Sequence, residues 1–206
     1  MIDNLYTYRS YAKCVSEGYR FLAVNLRTVC RVMAPYFLVF SLLCVLSNAV
    51  NTHANVAVMA GKQMYLEEVV LAGVLVVLCV VAYVVALMRL YKMFKRMCGI
   101  TGKKTIKWGK VLKAIGRHIG KVVGTTLLAL FVLAVLGMVV YLPYVVSTYA
   151  YFSSVEGQLN FGDTALIPTG GYVLMILACT LCYTIINILS VGLYASLMFL
   201  YGSIKR

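Results

Sequence analysis

Two histidines and a Cys-x-x-Cys pair are the residues here best suited to catalysis or metal binding. Imidazole serves as a general base or metal ligand, and paired thiols serve in redox exchange or zinc binding. His53 and His118 are separated by an apolar stretch that places them on opposite sides of a membrane, so they cannot share a site. Cys179 and Cys182 lie inside another apolar stretch, away from any exposed helix N-terminus that would activate a thiol. We interpret these cysteines as small packed residues, with a redox pair as the alternative.

Four of the six acidic residues form the remaining candidate site. Glu67 and Glu68 precede an apolar stretch, where carboxylates stabilise the amino end of a helix. A cation site built with Glu156 and Asp163 is the alternative, although nothing in the spacing fixes a ligand geometry. The sequence therefore predicts no catalytic residue, no metal site and no cofactor, and we do not expect an enzyme.

The composition explains why chemistry is scarce, because most of the chain is built to contact lipid. Of its 206 residues, 63% are hydrophobic and 12% are charged, against about half and about a quarter in soluble domains. Four stretches are long enough to cross roughly 30 Å of hydrocarbon and contain no Asp, Glu, Lys, Arg or His. These predicted spans are residues 32–50, 69–88, 122–146 and 171–200. The predicted fold is an all-α integral membrane protein with four transmembrane helices.

The basic residues lie almost entirely on one side of these spans. Of the 19 Lys and Arg residues, all except Lys62 fall in the N-terminal segment, the central segment or the last two positions. The outer loops, 51–68 and 147–170, hold four of the six acidic residues. Lys and Arg are retained on the cytoplasmic side. We therefore expect both termini and the central segment to be cytoplasmic, in a bacterial cytoplasmic (inner) membrane.

The central segment contains a basic amphipathic helix over residues 103–121. Apolar and cationic side chains recur there mostly every three or four positions, which gives one face of each kind. Such a helix lies in the membrane interface and is attracted by anionic lipid headgroups. The residues predicted to contact anionic lipid are Lys103, Lys104, Lys107, Trp108, Lys110, Lys113, Arg117 and Lys121. A nucleic-acid partner is not expected, because topology already explains the charge and no recognition motif is present.

The chain also reads as two copies of one unit, 1–98 and 99–206, each with an interfacial helix, a span out, an outer loop and a span back. "ALMRLYKMFKR" (86–96) and "SLMFLYGSIKR" (196–206) share six of eleven positions at an offset of 110. At an offset of 90, the N-terminal segment aligns with the central one. The aligned pairs are Leu22 with Leu112, Arg27 with Arg117, Arg31 with Lys121 and Val32 with Val122. Both copies have the same orientation, so the predicted repeat is parallel.

One stretch carries a family resemblance. A basic amphipathic helix runs into a span that opens with proline in "EGYRFLAVNLRTVCRVMAPYF" (17–37). This pattern resembles uncharacterised bacterial multi-pass membrane proteins similar to the membrane domain of glycerophosphodiester phosphodiesterases. The resemblance covers about the first fifty residues and implies a membrane-embedded helical domain. The chain has no phosphodiesterase domain, so the resemblance implies no catalytic residue.

The fourth span is the most polar. Thr180, Thr184 and Asn187 lie on one helix face, at i, i+4 and i+7. Such a face turns away from lipid, either to form hydrogen bonds between helices or to line a path for a solute. Two functions follow, and an integral-membrane enzyme acting on lipid is a third alternative. The first is a non-enzymatic protein that scaffolds or modulates a protein partner or the local lipid at the inner leaflet. The second is a small transporter or channel, which requires a homodimer or larger assembly because four helices enclose little space.

The predicted topology can be tested by cysteine labelling. An impermeant maleimide added to intact cells should label Asn55→Cys and Gly157→Cys, because both positions face outward, and should not label Gly102→Cys. The native cysteines provide the background measurement, since none lies in an outer loop. Labelling at position 102 in sealed cells would invert the orientation.

Overall fold

The computed structural model describes residues 9–59, 66–97, Gly116, 118–161 and 169–204. Every regular element in these ranges is an α-helix. They are α1 (Tyr11–Val24), α2 (Leu26–Met59), α3 (Leu66–Met97), α4 (Ile119–Asn160) and α5 (Thr169–Ile204). Helices α2 to α5 are each long and apolar enough to cross a membrane, which confirms the four predicted spans.

The four spanning helices are longer than the predicted spans. They contain 34, 32, 42 and 36 residues, or about 48 to 63 Å at about 1.5 Å per residue. The segments predicted as outer loops are therefore partly helical, because α2 continues to Met59 and α4 to Asn160. Residues 51–59 contain no glycine or proline, and the only glycine in 147–160 is Gly157. Neither stretch contains a proline to end the helix.

Cα proximity divides the chain into two compact units. The basic unit comprises Met1–Ala34, Leu87–Met138 and Asn187–Arg206, and the acidic unit comprises Pro35–Ala86 and Val139–Ile186. The basic unit contains α1, the start of α2, the end of α3, the start of α4 and the end of α5. Successive spanning helices therefore run in alternating directions.

Small polar side chains lie among the apolar residues on the buried faces of the helices. The largest fully buried side chains are three hydroxyls, two thiols and three apolar groups: Ser41, Thr125, Ser196, Cys14, Cys179, Val29, Met33 and Val191. Helix α3 has no serine or threonine and is the least covered, with 6% of its span buried against 28% for α2. In a membrane, close helix contacts favour small residues, and an apolar span such as residues 69–88 of α3 is suited to contact lipid.

Local capping defines the first helix. Ser10 is its N-cap, and the serine hydroxyl accepts a hydrogen bond from the backbone N–H of Lys13 at 3.4 Å. At the other end, the Asn25 side-chain amide donates to the Phe21 carbonyl at 2.9 Å. Asn25 alone separates α1 from α2, so the first helix leads into the first span through one non-helical residue.

In the basic unit, Gly18 allows α1 to approach α5 closely. A Cβ atom at Gly18 would lie 2.6 Å from the Ser196 backbone nitrogen and 2.8 Å from the Gly192 carbonyl oxygen, and it would also clash with the Ser196 hydroxyl. A Cβ at Gly192 would in turn lie 2.7 Å from two carbons of the Tyr19 ring. The two helices therefore meet backbone to backbone, as small residues permit between membrane helices.

Adding one methyl group at this contact should displace α1. We expect Gly18→Ala to lower the free energy of unfolding by about 1–3 kcal/mol, because the obstructing atoms belong to the α5 backbone and cannot rotate away. The measurement is the unfolding transition of the purified protein in detergent.

Gly137→Ala on α4 is the matched control, since nothing lies within 4 Å of a Cβ at that position. It should be neutral or stabilising by up to about 1 kcal/mol, because alanine favours helix more than glycine does. Equal effects of the two substitutions would contradict the close contact.

Candidate functional site in the basic unit

The two units differ sharply in charge. The described residues of the basic unit include one carboxylate, Glu17, and ten cationic residues: Arg9, Lys13, Arg20, Arg27, Arg31, Arg89, Lys92, Lys95, Arg96 and Lys121. Those of the acidic unit include no cation and three carboxylates, Glu67, Glu68 and Glu156. The charge asymmetry of the sequence is therefore also a property of the folded units.

The apolar face of α1 packs against the other helices of the basic unit. Cys14, Val15, Phe21 and Leu22 are buried, and the Phe21 ring lies 5.4 Å from that of Phe94 on α3. The sequence periodicity predicts an apolar stripe of Val15, Tyr19, Leu22, Leu26 and Val29. Val15, Leu22 and Val29 are buried, whereas Tyr19 is half-buried and Leu26 is exposed. In the structure, protein side chains cover the buried residues of this stripe.

Two polar contacts hold the N-terminal segment against α4 and α5. The Tyr19 hydroxyl donates a hydrogen bond to the Ala129 carbonyl of α4 at 3.1 Å. The backbone N–H of Arg9 donates to the Ser203 hydroxyl at 3.0 Å, and the Arg9 guanidinium lies over the Phe199 ring at 5.2 Å. A cation over an aromatic face is stabilising when the pair is withdrawn from water, and Arg9 is buried. The N-terminal segment is thus tied directly to the end of α5.

Because the apolar face is held inward, basic side chains remain on the outside. We call the exposed cationic residues the basic surface: Lys13 and Arg20 of α1, Arg27 and Arg31 of α2, and Arg89, Lys92 and Arg96 of α3. The only described carboxylate of this unit, Glu17, is half-buried. The basic surface was not among the predicted lipid-contact residues, although the amphipathic pattern of α1 and the basic end of α3 were visible in the sequence.

Most of the predicted lipid-contact helix lies outside the described residues. This holds for Lys103, Lys104, Lys107, Trp108, Lys110, Lys113 and Arg117. Lys121 is described, half-buried, near the start of α4. The prediction of an interfacial helix over 103–121 therefore stays a prediction.

Two of the three residues on the polar face of the fourth span, Thr180 and Thr184, form hydrogen bonds within their own helix. The Thr180 hydroxyl donates to the Ile176 carbonyl at 2.8 Å, and the Thr184 hydroxyl donates to the Thr180 carbonyl at 2.7 Å. These bonds stay within α5 instead of joining two helices. A threonine hydroxyl reaches the carbonyl four residues earlier without any neighbour, so spacing alone does not reveal its partner. Asn187 is half-buried on the same helix.

The contact between α4 and α5 in the acidic unit is aromatic. The Tyr183 ring stands edge-on to Tyr141 and Tyr144, each at 5.9 Å, and the hydroxyls of Tyr141 and Tyr183 lie 3.5 Å apart. Sequence reasoning missed Tyr141 and Tyr144, although their spacing of three residues on a helix was a usable signal. This cluster provides an interhelical polar contact that the threonines do not.

The remaining candidates from the sequence are the Cys-x-x-Cys pair and the acidic residues. Cys179 and Cys182 are both buried and free, which fits packed small residues. Helix α3 begins at Leu66, so Glu67 and Glu68 belong to its first turn, and the exposed Glu67 carboxylate complements the helix dipole there. Glu156 is exposed on α4, and Asp163 lies outside the described residues. Within the described part of the chain, no three His, Cys, Asp or Glu residues are grouped to hold a metal ion.

Comparison with known proteins adds no relative. No protein-family model, no curated protein and no solved structure matches this chain.

The pKa of the Cys14 thiol depends on how closely α1 packs against the other helices of the basic unit. Burial raises the pKa of the Cys14 thiol above its usual value of 9.0, and the positive charges of Arg9 and Lys121 oppose that rise. When α1 separates from the other helices, the thiol is solvated and ionises at a lower pH than it does in the folded protein.

The stability of the protein should therefore fall in alkaline solution in part through Cys14. The folded pKa is the higher one, so the contribution is present below about pH 9 and is lost as pH rises, because the unfolded chain releases the proton first. The stability advantage of wild type over Cys14→Ala should shrink between about pH 8 and about pH 10. Unfolding transitions of both proteins at the two pH values measure it. A constant or growing difference would contradict a buried thiol.

Proposed function

We propose that this protein is a non-enzymatic integral membrane protein whose basic unit binds anionic lipid headgroups at the inner leaflet, and scaffolds or modulates partners or lipid there. The observation that supports it is the separation of charge between the two units, with ten cations and one carboxylate among the described residues of the basic unit. Juxtamembrane clusters of basic residues bind anionic lipid surfaces at about 1 kcal/mol per residue.

The same separation supports the proposed orientation. Cations are retained on the cytoplasmic side of membranes, so the basic unit lies inside and the acidic unit lies outside. Both termini then face the cytoplasm, and the membrane is the cytoplasmic membrane of a bacterium. The hydrogen bond between Arg9 and Ser203 supports a common side for the two ends of the chain.

The packing of α1 supports a scaffold in particular. Its apolar face contacts protein, and Lys13 and Arg20 on its other face are exposed. A helix fixed by Phe94, Ala129 and Ser203 presents its charges in a defined arrangement. A rigid array loses less side-chain and backbone entropy on binding than a flexible segment does.

Burial supports the parallel repeat at one of its two alignments. Three pairs of residues at the offset of 110 are buried in both helices: Ala86 and Ser196, Leu90 and Leu200, and Met93 and Ser203. Near the offset of 90 the burial differs, since Val29 is fully buried whereas Ile119 is 62% exposed. We propose that the ends of α3 and α5 are equivalent parts of a duplicated unit, and that α2 and α4 have diverged in packing.

The lipid proposal can be tested by neutralising the basic surface. The triple variant Arg20→Gln, Arg27→Gln, Lys92→Gln removes one exposed cation from each of three helices. Loss of about 1 kcal/mol per residue should lower its affinity for anionic lipid on the order of 100-fold. The measurement is the retention of phosphatidylglycerol against phosphatidylcholine by the full chain in native mass spectra.

The matched control keeps the charge and changes only the chemistry, as Arg20→Lys, Arg27→Lys, Lys92→Arg. It should retain anionic lipid close to wild type, and high salt should weaken retention in both wild type and control. Equal retention by the neutral and the charge-preserving variants would overturn the proposal.

A further inference from the structure

Two cysteines from different helices meet in the acidic unit. The thiols of Cys44 of α2 and Cys79 of α3 lie close enough to interact electrostatically. Both lie inside the predicted spans, at a depth where the surroundings are hydrocarbon.

An aromatic pair fixes the same register independently. The Phe40 and Tyr83 rings lie 5.2 Å apart across the α2–α3 contact. Cys44 follows Phe40 by four residues, and Cys79 precedes Tyr83 by four. Residues four apart share a helix face. In two antiparallel helices, moving one turn along each helix therefore leads from the Phe40–Tyr83 pair to the Cys44–Cys79 pair. The meeting of the thiols is therefore a consequence of how the two helices pack.

The pair differs from the other cysteines in its accessibility. Cys44 and Cys79 are free and half-buried, so each touches protein on one side and is open on the other. Cys14, Cys179 and Cys182 are buried, and Cys30 is free and half-buried. A lipid-soluble reagent can reach Cys44 and Cys79, and the thiol that reacts first has a second one beside it.

We propose that Cys44 and Cys79 form an intramembrane modification site, at which a lipid-soluble hydroperoxide oxidises the thiol pair to a disulfide between α2 and α3. In the first step, one thiol sulfur attacks the outer oxygen of the hydroperoxide. The O–O bond breaks, the sulfur becomes a sulfenic acid, and the thiol proton passes to the departing oxygen to give an alcohol. In the second step, the neighbouring thiol attacks the sulfenic sulfur, the S–S bond forms, and water leaves. Overall, two thiols are oxidised and one hydroperoxide is reduced to an alcohol and water.

The experiment treats the full chain, in lipid nanodiscs, with cumene hydroperoxide. Free thiols are then blocked under denaturing conditions, and the linked peptides are identified by mass spectrometry. Two of the seven cysteines should escape blocking, and one linked peptide should join Cys44 to Cys79. Reduction should restore both thiols. Cys179 and Cys182 provide the internal comparison, because they are three residues apart on one helix but buried.

Two single variants separate the steps. Cys79→Ser removes the second thiol, so Cys44 should accumulate as a sulfenic acid that dimedone captures. Cys30→Ser removes a half-buried thiol from the same helix as Cys44 and should leave the Cys44–Cys79 link unchanged.

Three outcomes would overturn the proposal. Both thiols could remain reduced, which would make them packed small residues only. The oxidant could instead join Cys179 to Cys182. Finally, Cys44 could link to a second chain, which would show that the neighbouring thiol is out of reach. Each result comes from the wild-type protein and does not depend on a variant that folds.

Discussion

The close approach of α1 to α5 is the contact on which the arrangement of the basic unit depends. Gly18 meets the backbone of α5 at Gly192 and Ser196, where any larger side chain on α1 would hold the helices apart. This spacing lets Tyr19 reach the Ala129 carbonyl and Phe21 reach Phe94. Without it, the apolar face of α1 would separate from the helices that cover it.

The packing of α1 also determines where its cationic side chains lie. A helix with one face held against protein has its opposite face fixed in direction, and Lys13 and Arg20 lie on that face. The buried cation Arg9 is treated differently, because the Phe199 ring covers its guanidinium. The unit therefore uses one cation for packing and leaves others for the surroundings. The exposed apolar surface of α3 completes this picture, since a membrane is the solvent that such a surface requires.

Sequence alone predicted the four spans because each is a long run without ionisable groups, a signal that depends on no neighbour. The packing of α1 against α5 could not be predicted from the sequence, because it depends on the pairing of Gly18 with residues more than 170 positions away. Helix ends were misplaced where polar residues without proline continue a helix, as in 51–59 and 147–160. The hydroxyls of Thr180 and Thr184 show a further limit, since the i, i+4 spacing is equally compatible with bonds inside one helix. For the candidate site, the sequence predicted the sign and position of the charge but not which cations are exposed.

The tie between Arg9 and the end of α5 sets an order for biosynthesis. Helix α1 precedes Phe199 and Ser203 by more than 170 residues, so it is made before them. At a synthesis rate of about 5–20 residues per second, roughly 10–40 s pass before the α5 residues that contact the N-terminal segment have been made. During that interval the face that holds Val15, Phe21 and Leu22 has no intramolecular cover, and the surface of the membrane is the nearest apolar phase. An amphipathic helix is suited to both successive environments: an apolar phase while the chain is growing, and protein once α5 has been made.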